Sequence, residues 1–545
     1  MPTSPVDVSE RAAPVGVSAP AAPAPPQTAG RTARRRTAGW TRHPAGQAPL
    51  LMLLALAVRA PSFRRPFWSP DEGYLGTEAV ALRHGGRLYT DVVDRKPPLV
   101  PWLYEACFGL TGPGTLWLVR LCAVAALALT ALFVARLAAR EWGPWAGLPA
   151  GVLTIAASAA LPAPDAMAAT FEVFMLPATA AAVYFGSRRR FLAAGLALAA
   201  ATLTKQVGLA PLLPVALQVL AGPRRDRLRH GAALASGVFL PVAGCALLLG
   251  VRPFVFWNFL ASSSYAASPP GAAAMCGHAG SILLRLAVPF AGFAFLLPRR
   301  LPRRLPRRMP RSLGRWRGVT ELRPRTRTFD RVLWLWLIAS AAGVTAGFRF
   351  YGHYFLQLLP PLALLALRAA DSSRTRALSR RPAGPRTRDR ALAAACLCAV
   401  AAAALFDAGA LRAEPPQMGK SLALASALDA HSRPGQSVFL WSMHPEVYWL
   451  AGRPAAGRYL TAGLLTNFSG GADVRRVGAR YAVPGAWAGL RRELAAAPPC
   501  LVVDDSAGTP YPMAGYPALV RLVRDGGYTR VAVVEGAVVY RRAGC

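Results

Sequence analysis

The chain has 545 residues, 54% of them hydrophobic and 16% charged, with a formal net charge of +37. The charge does not mark a nucleic-acid binder, because the arginines lie in short runs between apolar segments and no basic patch is interleaved with stacking aromatics. The eight cysteines fall mostly inside apolar segments without a CxxC pair, so residues such as Cys396 and Cys398 read as small hydrophobes and no metal or redox framework is expected.

Residues 1–45 are rich in Ala, Pro, Thr and Arg with no apolar period, which predicts a disordered basic cytoplasmic tail. Arg34, Arg35 and Arg36 precede an apolar stretch, but no small-residue cleavage site follows, so that stretch reads as a retained first helix rather than a signal peptide. Apolar runs of spanning character then recur near Gln47–Pro61, Thr115–Leu137, Trp145–Leu161, Phe171–Gly186, Phe191–Thr204, Val207–Gly222, Gly231–Gly250, Ser281–Leu297, Val332–Phe348, Phe355–Ala370 and Ala391–Leu411. The first is short and carries Arg59 near its end, where the side chain can snorkel. This pattern predicts a polytopic α-helical membrane protein of about eleven transmembrane helices.

Charge sets the expected orientation. With the N-terminus in the cytoplasm, the inside loops hold Arg136 and Arg140, Arg188 to Arg190, Arg224 to Arg229, the Arg299–Arg327 run, and Arg374 to Arg390. The short outside loops then hold mainly Asp165, Lys205, Arg252 and Arg349, as the positive-inside rule requires. An odd number of spans sends the C-terminal region outside. The expected organisation is therefore a membrane domain over 46–411, with a large first external loop at 62–114, and a small extracytoplasmic α/β domain over 412–545. In that tail SVFLWS (437–442), CLVVDD (500–505) and RVAVVEGAVVYRR (530–542) read as strands, the last a hairpin turning at Glu535-Gly536. The segments beginning at His444 and Pro517 read as helices closed by glycine.

The first external loop concentrates charge. Asp71 and Glu72 stand side by side just past the first span, followed by Glu78, Asp91, Asp94, Arg95 and Lys96 before the rigid Pro97-Pro98 pair. Neither lipid nor a packed core favours such groups. Ser69-Pro70-Asp71-Glu72 is also a good helix-capping sequence, so Asp71 and Glu72 have a purely structural reading beside the functional one. Group transfer onto a hydroxyl or amine needs a general base, and a phosphate leaving group needs a cation. Asp71 and Lys96 supply one of each, although Lys96 also reads as a headgroup anchor at the interface. Further candidates are Glu172 at the start of a span, His353 and Gln357 one helical turn apart, and Arg349 just outside, which could meet a phosphate or anchor the membrane edge. Lys205 and Gln206 sit in a short external turn and could line the cavity, whereas His444, Glu446 and the Asp504-Asp505 pair in the tail read as structural.

The acidic pair after the first span, followed by Lys96-Pro97-Pro98-Leu99 with Trp102, resembles the membrane glycosyltransferases of the GT-C superfamily, specifically the protein O-mannosyltransferase and aminoarabinose transferase (family 39-like) group. The stretch from His353 to Leu365 is similar to the penultimate conserved span of that group. The resemblance implies a transferase that moves a sugar from a polyprenyl-phosphate donor to a protein, lipid or polysaccharide acceptor, with inversion, at the outer face of the bacterial cytoplasmic membrane. It implies no cofactor and no metal. Position by position, Asp71 resembles the catalytic base, Glu72 its supporting partner, Lys96 the donor-phosphate lysine, and Asp165 the second acid of the family. One departure stands out: Arg95 occupies the place of a glutamate before the lysine, so either Asp94 substitutes for that acid or Arg95 adds a phosphate contact. The competing readings are a transporter or flippase for lipid-linked sugar, which would want charge at mid-membrane, and a non-catalytic family member serving as a scaffold.

Overall fold

The computed structural model describes residues 44–261, 272–294, 324–378, 385–468 and 474–545. The tail expected to be disordered, and most of the Arg299–Arg327 run, lie outside the described residues. From the N-terminus, α1 (Pro44–Arg59) leads through a short 3-10 turn into two loop helices, α2 (Pro70–Arg83) and α3 (Leu99–Thr111). These are followed by α4 (Trp117–Trp142), α5 (Gly147–Ser158), α6 (Phe171–Ser187), α7 (Phe191–Thr204), α8 (Leu212–Leu220) and α9 (Arg227–Leu249). After residue 271 come α10 (Ala272–Ala294), α11 (Pro324–Thr345), α12 (Leu359–Leu378) and α13 (Pro385–Arg412).

Six helices among the described residues are long and apolar enough to cross a membrane, over Gly46–Arg64, Trp117–Trp142, Arg224–Leu249, Met275–Ala294, Thr328–Phe348 and Asp389–Arg412. The count of eleven expected from the sequence is not confirmed. Helix α7 has 14 residues, which at about 1.5 Å per residue gives roughly 21 Å against a hydrocarbon thickness of about 30 Å. Helices α5 and α8 are shorter still, broken by the prolines and glycines around them, and α12 carries Arg368 at its middle and Asp371 beyond it. The long helices turn leucines outward: Leu247, Leu284 and Leu405 are 73%, 73% and 76% exposed, as lipid-facing positions should be. Where α7 crosses α9 the contact is made by Gly195 and Gly237, and a Cβ on either would press into the other's backbone. Small residues at such crossings let membrane helices approach closely.

The loops sort to two ends of the bundle. At one end Arg140 donates to the Ser187 carbonyl at 3.1 Å and Arg189 lies 3.7 Å from Asp226, so loops expected inside meet one another. At the other end the first loop meets Ala169 and Gln206, and His353 meets Asp165.

The C-terminal region is a four-stranded sheet with helices, as expected. Its strands are β1 (Val438–Trp441), β2 (Leu501–Asp504), β3 (Tyr528–Val534) and β4 (Ala537–Arg542), in the order β1-β2-β4-β3. β1 and β2 run parallel, with Leu440 beside Val503, and the other pairs are antiparallel. The hairpin turns at Glu535 and Gly536, both at positive φ (45° and 83°), the twist that suits a two-residue connection. Helices α14 (Met418–His431), α15 (Glu446–Ala451), α16 (Ala486–Ala496) and α17 (Pro517–Asp525) cover it.

This domain is docked on the first loop through α15 and α2. Gly73 faces Glu446 so closely that a Cβ there would overlap the glutamate's own Cβ, and a Cβ at Gly76 would lie 3.1 Å from the Trp449 ring. One turn on, Thr77 Oγ1 donates to the Pro445 carbonyl at 2.8 Å. Trp449 Nε1 donates to the Pro113 carbonyl at 2.6 Å. The back of the helix that carries Asp71 is thus clamped by the C-terminal domain.

Candidate active site

Helix α2 starts where its cap dictates: Ser69 Oγ accepts the Asp71 amide at 3.2 Å and Pro70 opens the first turn. Both the structural and the functional reading of Asp71-Glu72 rest on this cap, because it fixes two adjacent acids that must point about 100° apart around the helix. Glu72 turns inward and is fully buried. Its Oε2 accepts the Trp68 amide at 2.6 Å, its Oε1 accepts the Ala169 amide at 2.8 Å, and the Arg120 guanidinium lies 3.7 Å away. It fastens the first loop to the segment that leads into α6.

Asp71 turns the other way, about a third exposed, and its Oδ1 accepts a hydrogen bond from Lys96 Nζ at 3.1 Å. The lysine is held by Pro97-Pro98 behind it and rests over the Phe171 ring, 4.4 Å from the centroid. Burial pulls Asp71 upward, but Lys96, helped by His353 and Lys205, outweighs it and holds the carboxyl at about 2. Burial likewise opposes the Lys96 charge, and Asp71 and Asp94 more than offset it, leaving the ammonium above its ordinary range.

A second charged group adjoins the first. Glu172, buried in the first turn of α6, is paired with Lys205, and His353 Nε2 lies 3.8 Å from it. The other ring nitrogen of His353 meets Asp165 Oδ1 at 2.5 Å, and the same oxygen accepts the His353 amide at 3.0 Å. A carboxylate only accepts, so Nδ1 carries the proton. Burial works against a charged His353, and Glu172 and Asp165 overcome it, raising its pKa. Lys205 Nζ stands 4.0 Å over the Tyr354 ring. Gln206 ties the two groups together, donating to the Arg95 carbonyl at 2.8 Å and the Asn258 carbonyl at 3.0 Å.

The structure therefore brings Asp71, Lys96, Asp165, Glu172 and His353 into one chain of contacts at one end of the bundle. The remaining candidates behave differently. Asp94 is 8% exposed, and one of its oxygens accepts the Arg95 amide at 2.6 Å. Arg95 is fixed through its backbone by Gln206. Arg349 is buried in the turn after α11, between Phe348 and Phe350 at φ of 53° and 50°, a left-handed backbone that bulky residues adopt only under constraint. Gln357 does not join His353. Residues Gly352–Leu358 form a 3-10 helix, whose three-residue turn carries position i+4 off the shared face; Gln357 instead donates to the Tyr354 carbonyl at 3.1 Å and packs on Gly343.

Two further charged residues join this cluster. Lys205 is central to the cluster, and it and Lys96 are two of only three lysines among 63 basic residues, the third being Lys420. In a chain otherwise rich in arginine, a lysine supplies a compact point charge rather than a planar fork. Glu78 lies two turns along α2 from Asp71, with Tyr74 between; Tyr74 donates to the Val93 carbonyl at 2.7 Å and so braces the 93–96 segment against this face. Both Glu78 oxygens and Asp94 Oδ2 are buried without a hydrogen-bond partner among the described residues. Burial, with the charge of Asp94, pushes Glu78 well above the usual carboxyl range. Among the described residues no group of three or more His, Cys, Asp and Glu side chains is disposed to hold a metal ion.

Comparison with known proteins follows the same lines. Residues 95–257 match the family described as dolichyl-phosphate-mannose-protein mannosyltransferase, a match that begins one residue before Lys96. The fold is similar to that of ArnT from Cupriavidus metallidurans, in a crystal structure bound to undecaprenyl phosphate. The TM-score is 0.58 at 16% identity, covering 92% of this chain and 98% of that one. It is equally similar to the apo form, with a TM-score of 0.58 and 91% and 98% coverage. No curated protein matches the chain significantly in sequence. The resemblance to the GT-C glycosyltransferases read from the first loop is thus carried by both a sequence family and the fold.

Proposed function

We propose that this protein is an inverting membrane glycosyltransferase that takes a sugar from a polyprenyl-phosphate donor at the outer face of the cytoplasmic membrane, with the C-terminal domain on that side. The observation that carries the reading is the 3.1 Å contact of Asp71 with Lys96 beside a second acid–lysine pair, Glu172 with Lys205. The mannosyltransferase family match and the undecaprenyl phosphate in the ArnT crystal support the donor class.

In this account the donor phosphate competes for Lys96. Before it arrives, the ammonium neutralises Asp71 and keeps it a weak base. When the phosphate takes Nζ, Asp71 loses its counter-charge and gains basicity as the acceptor approaches. The acceptor oxygen or nitrogen then attacks the anomeric carbon from the face opposite the phosphate, and its proton passes to Asp71. The bond between the anomeric carbon and the phosphate oxygen breaks, and the polyprenyl phosphate leaves with its charge held by Lys96. Lys205 and His353 offset the carboxylates of Glu172 and Asp165 beside the Asp71–Lys96 pair. Glu72 acts by position, holding the Asp71 turn against the Ala169 segment. Arg95 and Arg349 are assigned to the phosphate side, and Asp94 to the acceptor side.

The test is transfer from labelled polyprenyl-phosphate sugars in proteoliposomes holding the purified chain. The reading expects label to appear in a protein, lipid or polysaccharide fraction with the anomeric configuration inverted. Label confined to the donor, but moved across the bilayer, would replace the transferase with a flippase.

A further inference from the structure

Cys500 and Cys545 lie far apart in the chain and together in the fold. Cys500 immediately precedes β2; its amide donates to the Ser437 carbonyl at 2.9 Å, and its carbonyl accepts the Arg542 amide at 3.0 Å. After β4 the chain turns back through Gly544, at φ of 84°, and the Cys545 amide donates to the Arg542 carbonyl at 3.3 Å. That turn returns Cys545 to the strand end at which the Arg542 amide pairs with the Cys500 carbonyl, so the two cysteines flank the same residue. Tyr528 closes the same corner, its hydroxyl donating to the Pro499 carbonyl at 2.5 Å. Cys500 is buried and Cys545 is partly exposed.

We propose that Cys500 and Cys545 are joined as a disulfide in the mature, membrane-resident protein. The inference rests on placing the C-terminal domain outside the cytoplasm, where disulfides form and persist. The oxidant is a protein disulfide of that compartment. Cys545, the accessible thiol, loses its proton and attacks one sulfur of the oxidant, giving a mixed disulfide and one oxidant thiol. Cys500 then attacks the Cys545 sulfur, the Cys500–Cys545 bond forms, and the oxidant leaves with both electrons as a dithiol. The bond pins the end of β4 to the start of β2 and encloses α17 and the β3–β4 hairpin. It thereby stiffens the sheet whose α15 face clamps the Asp71 helix.

The test alkylates the full-length protein in isolated membranes without reductant, then maps the peptides by mass spectrometry, with a parallel sample incubated in oxidised glutathione. A Cys500–Cys545 linked peptide in the untreated sample, lost in Cys545→Ser with Cys500 then alkylated, supports the proposal. Alkylated thiols in the untreated sample that link only after glutathione overturn it through the compartment. Thiols that stay unlinked in both samples overturn it through the geometry. Neither readout depends on sugar transfer, so a failed transferase reading and a failed disulfide remain distinguishable.

Discussion

The chemistry assigned to the first loop depends on which way a few side chains turn. Lys96 is expected to hold the donor phosphate. Lys96→Ala should therefore weaken binding of polyprenyl phosphate by about 10- to 100-fold, the range of one charge-assisted hydrogen bond, as titrated by intrinsic fluorescence. Lys96→Arg should recover only part of it, since a planar fork does not replace a point charge. Glu72 has a different task. Glu72→Ala would strand the buried Arg120 guanidinium beside two unsatisfied amides, and a loss of about 3–5 kcal/mol is expected, read from the thermal midpoint. Glu78 titrates the other way. Its folded pKa lies above its unfolded value, so the folded state keeps a proton that the unfolded chain releases, and stability falls as pH rises past the unfolded value. Glu78→Gln removes that penalty, so its thermal midpoint relative to the parent should climb as pH rises above about 4.5 and converge with it at lower pH. At this scale the sequence was partly legible. Asp71 and Lys96 stand out because charge in a membrane loop is costly. The separation of Asp71 from Glu72 was not legible, since neighbours in sequence face different ways on a helix. Lys205 was legible only as a cavity candidate, because a short turn offers no periodicity that would pair it with Glu172.

Among the elements, α2 is the hinge between chemistry and scaffold, with Asp71 at its tip and α15 against its back. Gly73 permits that approach through lack of volume, and its backbone is ordinary helix. Gly73→Ala should therefore force the helices apart, costing about 1–3 kcal/mol by overpacking and lowering the turnover rate while Lys96 still binds phosphate; thermal denaturation and steady-state kinetics on one preparation separate the two. Strands of the C-terminal domain were legible as short apolar runs, and the hairpin at Glu535-Gly536 from its turn chemistry. The segment around His353 was not. Pro360 and Pro361 lack the amides that an α-helix would aim at the Leu356 and Gln357 carbonyls, which leaves a 3-10 helix and turns Gln357 away from His353.

For the molecule as a whole, hydropathy located the apolar segments but overstated their uniformity. It counts apolar residues, whereas a continuous span also needs an unbroken backbone, and α5 to α8 are interrupted by Pro162, Pro211 and the glycines of their turns. The turns that carry Asp165 and Lys205 adjoin the first loop through Ala169 and Gln206, and the loops of Arg140 and Arg189 meet their neighbours at the far end. The site is thus assembled from turns far apart in sequence, held by Glu72 on one flank and α15 on the other.

The central claim is that Asp71 removes the acceptor proton. Its most direct test is single-turnover sugar transfer by purified parent and Asp71→Asn proteins, with donor affinity measured on the same samples. The account predicts that the rate falls by about 10²–10⁴-fold, the usual contribution of a positioned general base, while donor binding is held or strengthened because Lys96 is freed. A rate within a factor of a few of the parent would contradict it and remove the first loop from the chemistry.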